Sequence, residues 1–305
     1  MASIVMLTAH SFAVQAVDND SIYKLVWQDT FDGNKLDEST KWSIVKDGNG
    51  GGNKELQYYH SKNIKVGKEP VTGESCLVIT AKKEKYKSRE FTSGRLTTQH
   101  KLSFKYGKVE ARIKSPKTAN GLWPAFWMLG IDYPKKAVWP KCGEIDIMEM
   151  GNRTGINEGT QDRFFNGACH WGKYNNSGSY PNYGKSTTNP YSLQENFHLY
   201  TLIWNKNTIR MYLDLDRNPL ASPYFEMPIN GEDSEDSPVR YFHKPFFILF
   251  NLAVGGHFPD IKNVHEVTAL DNEAANMYVD FIKVYQKGDA DEEISFYSNK
   301  RKYQN

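Results

Sequence analysis

The sequence predicts an all-β protein built as one large antiparallel β-sandwich. In several segments every second residue is apolar, which is the pattern of strands that bury one face. No sustained 3.6-residue apolar stripe occurs, so helices should be short and few. The strand patterns run from about residue 22 to residue 286, and no Pro- or Ser-rich linker divides them.

The individual strands have different signatures along the chain. Residues 108–114 alternate strictly between apolar and charged side chains, as expected for a half-buried strand. Residues 198–204 and 208–214 flank a short polar connection and predict a hairpin. Residues 246–254 are apolar almost throughout, which indicates a fully buried strand. The remaining predicted strands are residues 77–81, 122–128, 144–149 and 277–286.

The composition excludes several classes of protein. Lys and Arg total 38 and Asp and Glu total 36, so the chain lacks the basic excess that nucleic-acid binding requires. No run approaches the ~20 apolar residues of a membrane-spanning helix. The three cysteines, Cys76, Cys142 and Cys169, are too few for a disulfide framework and lack zinc-ligand spacing.

The two ends of the chain differ from its middle. Residues 1–16 are small or apolar and precede a polar stretch at residues 17–20, so residues 1–20 fit either a residual export signal or a disordered N-terminus. We take the export reading and predict an exported protein. Residues 288–305 predict a polar C-terminal tail, which leaves one folded domain at residues 21–287.

Three acids lie close together in the predicted strand 144–149. Strand side chains alternate faces, so Glu144 and Asp146 share one face while Glu149 has the opposite parity. A regular strand would turn Glu149 into the core, at a cost of several kcal/mol for an unpaired carboxylate. One extra residue, a β-bulge near Met148, would turn Glu149 toward the acids and Met150 toward the core.

With that bulge, the acids fit the hydrolysis of a sugar bond. The backbones of Glu144 and Glu149 would lie about 13 Å apart, at ~3.3 Å per residue, and the side chains could bring their carboxyls to about 5–5.5 Å. That separation predicts retention of anomeric configuration. Three crowded acids should hold one proton near neutral pH. The bare pattern would also suit a solvated strand face.

Residues 143–149, GEIDIME, resemble the bulged signature of glycoside hydrolase family 16, E-[I/L/V]-D-x-x-E. Further segments agree with the family in order and spacing: residues 53–59 (NKELQYY), 92–96 (TSGRL), 121–128 (GLWPAFWM), 170–171 (HW) and 251–256 (NLAVGG). The likeness covers roughly residues 22–286 and is closest to the laminarinase and mixed-linkage β-glucanase (licheninase) branch. It implies a concanavalin A-like β-jelly-roll with an open cleft, and endo-hydrolysis of β-1,3 or β-1,3-1,4 glucans.

The resemblance also implies a role for each acid. Glu144 matches the nucleophile that forms the glycosyl-enzyme intermediate. Glu149 matches the general acid and base. Asp146 matches a helper acid that hydrogen-bonds the nucleophile and holds its protonation state.

The predicted substrate contacts are aromatic and polar. Trp123 and Trp127 share the strand face opposite Phe126, where flat rings can stack on glucose units. The resemblance adds Trp139 as a third stacking ring, with Asn53 and Arg95 as hydrogen-bond partners of sugars on the non-reducing side of the cut. It also implies that His170 lies beside the general acid.

No metal ligand set or required cofactor is predicted. Many family members bind a structural calcium through an Asp-Glu-Phe and an Asp of the last strand. Here Thr30 replaces the glutamate although Asp280 remains, so this calcium stays open.

Two other functions use the same features. The chemistry could act on a galactan such as agarose, porphyran or carrageenan, or the domain could be a non-catalytic glucan-binding jelly roll. All three acids favour an enzyme, and the absence of a basic cluster around the motifs favours an uncharged glucan. The expected partner is therefore a β-glucan, for which a monomer suffices. The sequence does not decide the preferred linkage or the number of subsites.

Overall fold

Two antiparallel sheets stacked on each other make up most of the computed structural model, which describes residues 22–297. The predicted all-β, antiparallel fold is therefore confirmed. The predicted export signal at residues 1–20 lies outside the described residues. Among residues 22–297, no helix is long and apolar enough to cross a membrane.

Sheet 1 has eight strands: β1 (Lys24–Asp29), β4 (Ile64–Lys68), β5 (Ser75–Ala81), β9 (Gly107–Lys114), β14 (His198–Trp204), β15 (Thr208–Leu213), β16 (Phe225–Pro228) and β18 (Ala275–Gln286). Their order is β16-β15-β14-β9-β18-β5-β4, and β1 also pairs with β18. The predicted β14–β15 hairpin is present, joined across the polar residues 205–207. β9 alternates between buried and half-buried residues from Val109 onward, as the sequence predicts.

Sheet 2 has nine strands: β2 (Ser43–Ile44), β7 (Arg95–Thr97), β8 (Leu102–Lys105), β10 (Leu122–Gly130), β11 (Glu144–Met150), β12 (Phe164–His170), β13 (Asn182–Thr188), β17 (Phe246–Val254) and β19 (Glu293–Phe296). The order is β13-β12-β11-β10-β17-β7-β2, and β8 pairs with β17 and β19. β17 is buried along its whole length, as predicted.

The remaining elements are short. A small parallel pair joins β3 (Gln57–Tyr59) to β6 (Phe91–Ser93). The α-helix in the described part of the chain is α1 (Arg153–Glu158), and 3-10 turns occupy Gly50–Gly52, Ser61–Asn63, Pro238–Arg240 and Val264–Glu266. Short, sparse helices are what the lack of a helical stripe predicts.

The core lies between the two sheets. Val109 and Ile113 of β9 and Phe126 of β10 are at most 1% exposed and belong to one apolar cluster. Phe126 stacks on Phe250 with ring centroids 4.8 Å apart. Burial of each such side chain contributes about 1.5–3 kcal/mol, so the alternating faces of the strands hold the sheets together. Three tryptophans also belong to this core or pack against it: Trp27, Trp42 and Trp204.

The C-terminal segment assigned to a polar tail is partly folded. β19 lies within residues 288–305 and pairs with β8. The Gln286 side chain donates to the Glu293 carbonyl at 2.9 Å, and the Glu292 carboxylate accepts from the backbone N–H of Gly288 at 2.7 Å. Strand pairing uses backbone groups, so a segment with few apolar residues can still extend a sheet. Residues 298–305 lie outside the described residues.

Gly151, which directly follows β11, should not tolerate a side chain. Its φ is +93°, and an added Cβ would lie 2.0 Å from the carbonyl oxygen of Leu122. We expect Gly151→Ala to destabilise the fold by about 2 kcal/mol or more, because both the backbone conformation and the contact resist a side chain. Thermal unfolding measures the loss.

The matched control is Gly159→Ala, where φ is +65° and no atom lies within 4 Å of the added Cβ. That change should cost only the conformational penalty of about 1 kcal/mol. Equal losses in the two variants would contradict the contact at Gly151.

Candidate active site

β11 contains one extra residue at positions 147–148. In its ladder with β12, Asp146 pairs with Ala168 and Glu149 pairs with Asn166, so three steps on β11 face two on β12. The ladder with β10 shifts in the same segment. This two-against-one count is a β-bulge, and the predicted bulge is confirmed.

The bulge sorts the side chains of β11 between core and site. Ile145, Ile147 and Met150 are completely buried in the apolar cluster. Glu149 is 8% exposed, yet its carboxyl accepts a hydrogen bond from the half-buried Trp123 on the face opposite the core side chains. Glu149 therefore stands with the acids and Met150 with the core, as the sequence predicts.

His170 joins the acids from the neighbouring strand. It pairs with Glu144 in the β11–β12 ladder, and its Nε2 lies 3.2 Å from Oδ2 of Asp146. That Oδ2 is buried and has no hydrogen-bond partner of good geometry among the described residues. The resemblance implied a place beside the general acid, whereas the polar contact found is with Asp146.

The same three side chains are the one group among the described residues that could hold a metal ion. Glu144, Asp146 and His170 each offer one donor atom, and these atoms lie within 4.8 Å of one another. Carboxylate oxygens and an imidazole nitrogen are suitable ligands for several divalent metals. Hydrolysis of a glycosidic bond by a pair of carboxyl groups requires no metal ion.

Glu144 and Asp146 titrate together. Burial raises the pKa of Glu144 well above its usual value, and the Asp146 charge raises it further, while His170 and Arg95 oppose the shift. Burial likewise raises the pKa of Asp146. Two carboxyls that repel each other in a site shielded from water do not both ionise, so we expect the pair to hold one proton near neutral pH.

Glu149 keeps its own proton near neutral pH. Burial raises its pKa from 4.5 to about 8, and Asp146 adds to the shift. His170 lowers the pKa, as does the hydrogen bond from Nε1 of Trp123 to Oε1 at 3.0 Å. A carboxyl that stays protonated at pH 7 can donate a proton.

Trp123 and Trp127 of β10 are half-buried and lie on the face of the strand that carries the acids. Their neighbours along β10 are buried. The Trp123 ring stacks on Phe258, with ring centroids 4.9 Å apart and an interplanar angle of 13°, so one face of the Trp123 ring is covered. The Trp127 ring carries the Arg95 guanidinium over one face at 4.7 Å. Its Nε1 donates to Oδ1 of Asn251 at 2.7 Å, which fixes the ring plane.

Arg95 and Asn53 lie on the same side of β11 as these tryptophans. Nε of Arg95 is buried without a hydrogen-bond partner among the described residues, and a ligand hydroxyl could fill that role. Asn53 follows a 3-10 turn, and its carbonyl accepts from the His257 N–H at 2.8 Å. An added Cβ on Gly256 would lie 3.0 Å from that carbonyl and 3.5 Å from the Trp123 ring, so the three residues adjoin.

Trp139 lies near His170, with ring centroids 6.1 Å apart, and like Trp127 it packs against a small buried cluster, Leu129, Cys142, Phe247 and Leu249. Sequence reasoning missed two rings that contact Trp139, namely Tyr174 and Tyr180. They lie in a polar loop without alternation, so no local pattern marks them. Asn251 was also missed as a site residue, although a lone polar residue in the buried strand β17 was a readable signal.

The residues present do not fit a calcium ion at the place that the resemblance suggests. The Asp280 carboxylate binds the Arg112 guanidinium at 2.7 Å. The Asp29 carboxylate lies 3.2 Å from the Lys41 ammonium. Calcium needs six or more oxygen ligands, and here protein cations already pair with both carboxylates while Thr30 offers none.

Comparison with known proteins gives a consistent set of relatives. Residues 57–218 match the family described as glycosyl hydrolases family 16. The chain is 34% identical over 273 residues to the β-glucanase of Rhodothermus marinus, covering 87% of this chain and 85% of that protein. It is 34% identical over 266 residues to the clotting factor G alpha subunit of Tachypleus tridentatus, covering 87% of this chain but only 34% of that protein.

A solved structure is also similar. The Bacteroides ovatus mixed-linkage-glucan GH16 protein in complex with its G4G4G3G product superposes with a TM-score of 0.73. The two sequences are 37% identical, and the match covers 85% of this chain and all of that one.

The raised pKa of Glu149 predicts a pH-dependent effect of Glu149→Gln on stability. The folded protein binds this proton more tightly than the unfolded chain. The contribution of proton binding at Glu149 to the free energy of unfolding is therefore complete below about pH 4.5 and is lost as the pH rises toward 8. The glutamine stays neutral and keeps an acceptor for Trp123. Between pH 5 and pH 8 the Tm of the variant should therefore rise relative to wild type by about 2 °C or more.

The control is Glu158→Gln, which removes an exposed carboxylate at the end of α1. Its Tm difference from wild type should not change with pH. A flat difference for Glu149→Gln as well would contradict the buried, protonated state of Glu149.

Proposed function

The chain belongs to glycosyl hydrolases family 16, and from this we propose that it is a retaining endo-β-glucanase acting on β-1,3 or mixed-linkage β-1,3-1,4 glucans. The observation that carries the proposal is the bulged strand β11, which presents three carboxyls on one face. The relative from Rhodothermus marinus is a β-glucanase, and the Bacteroides ovatus structure holds a mixed-linkage product. Both relatives support a hydrolase that acts on β-glucans.

In the first step, a carboxylate oxygen of Glu144 attacks the anomeric carbon of the sugar. The bond from that carbon to the leaving oxygen breaks, and Glu149 transfers its proton to this oxygen. The pKa of about 8 keeps that proton available at neutral pH. The products are a covalent glycosyl-enzyme and a shortened glucan with a free hydroxyl.

In the second step, Glu149 acts as a carboxylate base. It takes a proton from water while the water oxygen attacks the anomeric carbon, and the bond to Glu144 breaks. Two displacements at the same carbon restore its original configuration. The cycle ends with Glu144 ionised and Glu149 protonated.

Asp146 is proposed to keep the nucleophile ionised. The Glu144–Asp146 pair holds one proton, and a proton carried by Asp146 leaves Glu144 as the carboxylate. His170, 3.2 Å from Asp146, opposes the upward pKa shift of Glu144 and helps it ionise. Asp146 therefore acts through Glu144 rather than on the sugar.

The substrate contacts follow the two sides of β11. Asn53 and Arg95 are proposed to hydrogen-bond sugars on the non-reducing side of the cut, where Nε of Arg95 has no acceptor within residues 22–297. Trp123 and Trp127 each have one ring face covered, by Phe258 and by Arg95, so stacking would use the other face. Trp139 is proposed to stack on the opposite side.

An uncharged glucan suits this cleft better than a sulfated galactan. The carboxyls of Glu144, Asp146 and Glu149 give the centre negative potential whenever they ionise, which repels sulfate groups. A non-catalytic binding domain would gain nothing from three buried carboxyls that each cost desolvation energy. Export and a monomeric state remain part of the proposal.

The roles of the two glutamates can be separated chemically. We expect Glu144→Gln and Glu149→Gln to lower the release of reducing ends from laminarin and barley β-glucan by at least about 10³-fold. Glu158→Gln, which removes an exposed glutamate, should retain full activity.

Azide then identifies each role. In Glu144→Ala an azide ion can attack the anomeric carbon directly and give an α-glycosyl azide. In Glu149→Ala azide would attack the glycosyl-enzyme and give a β-glycosyl azide. Proton NMR of the products distinguishes the anomers, and the reverse assignment or undiminished activity in either glutamine variant would refute the roles.

Removal of metal should leave the enzyme unchanged. Asp29 and Asp280 are paired with Lys41 and Arg112, so no required calcium is expected at this place. After dialysis against EDTA, both the Tm and the hydrolysis of laminarin should equal those of the untreated protein. A loss that calcium restores would contradict this expectation.

A further inference from the structure

The loop between β12 and β13 is held in one conformation by its own hydrogen bonds. Oδ1 of Asn175 accepts from the backbone N–H groups of Ser177 and Ser179, at 3.0 and 2.9 Å. The Trp171 N–H donates to the Pro181 carbonyl at 3.0 Å, which closes the base of the loop. Side chains on this loop are therefore positioned before any ligand arrives, which lowers the entropic cost of binding.

Tyr174 and Tyr180 of this loop both contact Trp139, and we call these three residues the ring cluster. The Tyr180 centroid lies 4.8 Å from that of Trp139 and 5.3 Å from that of Tyr174, at interplanar angles of 70° and 78°. The Trp139 and Tyr174 centroids are 5.9 Å apart. The cluster reaches the acids through His170, whose ring centroid is 5.7 Å from that of Tyr180.

The ring cluster presents an open apolar surface, although Trp139 also packs against the buried residues Leu129, Cys142, Phe247 and Leu249. Tyr174 is 53% exposed, and Trp139 and Tyr180 are half-buried. An edge contact covers only one face of one ring in the pair, and the ring faces that stay exposed can bind sugar C–H groups at little conformational cost. The Tyr180 hydroxyl has no hydrogen-bond partner among the described residues. Burial and then Glu144 raise the pKa of Tyr180 to about 12, so this hydroxyl stays protonated and can donate.

The sheet order places Tyr174 and Tyr180, which lie between β12 and β13, on one side of the acids. β12 and β13 lie on one side of β11, while β10, β17 and β7 lie on the other. Arg95 opens β7, and Trp123 and Trp127 belong to β10. A glucan that crosses the strands must therefore meet Arg95 on one side of Glu144 and the ring cluster on the other.

We propose that Tyr174 and Tyr180, together with Trp139, bind the glucose units on the leaving-group side of the scissile bond. This inference rests on the proposed function, in which Asn53 and Arg95 bind the non-reducing side. The rings stack on one or two sugar units, and the Tyr180 hydroxyl donates to a sugar oxygen.

The ring cluster would also favour transfer of sugar to another sugar. Once the glycosyl-enzyme has formed, an acceptor bound on the rings presents a hydroxyl to the anomeric carbon. The bond from that carbon to Glu144 breaks, a bond to the acceptor oxygen forms, and the hydroxyl proton passes to Glu149. Transfer competes with hydrolysis in proportion to acceptor occupancy.

The test compares two substrates that share the same non-reducing side. Laminarihexaose fills the leaving-group side with sugar, whereas β-laminaribiosyl fluoride leaves it empty because its leaving group is one fluoride ion. For Tyr174→Ala and Tyr180→Ala, kcat/KM on the hexaose should fall about three- to tenfold. On the fluoride it should remain at the wild-type value.

Transfer gives a second readout. With the fluoride as donor and added laminaribiose as acceptor, the ratio of transfer to hydrolysis should fall by the same factor in both variants. Tyr180→Phe keeps the ring and should retain more transfer than Tyr180→Ala. Tyr297→Ala removes a part-exposed tyrosine next to β19 and serves as the matched control with no effect on either substrate.

Two outcomes would overturn the proposal. Equal losses on both substrates would show that the tyrosines only support His170 and the acids, and an unchanged hexaose rate would show that they bind no sugar. Tyr174 is mostly exposed, so its variant tests the proposal even if Tyr180→Ala unfolds. A wild-type protein that cleaves neither these two substrates nor barley β-glucan would instead refute the proposed function itself.

Discussion

The β-bulge at residues 147–148 decides which side chains of β11 meet the core and which meet the cleft. Without the extra residue, Glu149 would enter the apolar layer and Met150 would stand among acids, and both errors would cost free energy. With it, Ile145, Ile147 and Met150 pack between the sheets, while the carboxyls gather on one face. Both the packing of the sandwich and the proposed chemistry depend on this irregularity.

Glu144, Asp146 and Glu149 lower the stability of the folded protein, but the pKa shifts that result are the ones that the proposed reaction needs. Each is largely shielded from water, and the Asp146 charge raises the pKa of both glutamates. The hydrogen bond from Trp123 lowers the pKa of Glu149, and His170, 3.2 Å from Asp146, lowers the pKa of both glutamates, so part of this cost is offset. The balance leaves Glu149 with a proton to donate and the Glu144–Asp146 pair with one proton to share, the two states that double displacement requires.

The order of strands in sheet 2 gives the site its two sides. β11 is flanked by β10 and β12, so residues distant in sequence stand on opposite sides of one strand. Arg95 stacks over Trp127 on one side, and Tyr180 meets Trp139 on the other. A polymer that lies across such strands contacts both sets at once, and binding on each side aligns the scissile bond with the acids.

Local sequence by itself determined eight of the strands, the bulge and the outward face of Trp123 and Trp127. Alternation between buried and exposed sides is a property of consecutive residues, and a parity error of one residue is visible in the chain. The pairing of β19 with β8 escaped this pattern because backbone hydrogen bonds do not depend on apolar side chains. Only the tertiary structure decided that Tyr180 lies beside Trp139. The same holds for the ion pair between Arg112 and Asp280 and for the contact between His170 and Asp146. Those contacts join separate segments, and their geometry follows from sheet order and loop closure, which no short stretch of sequence encodes.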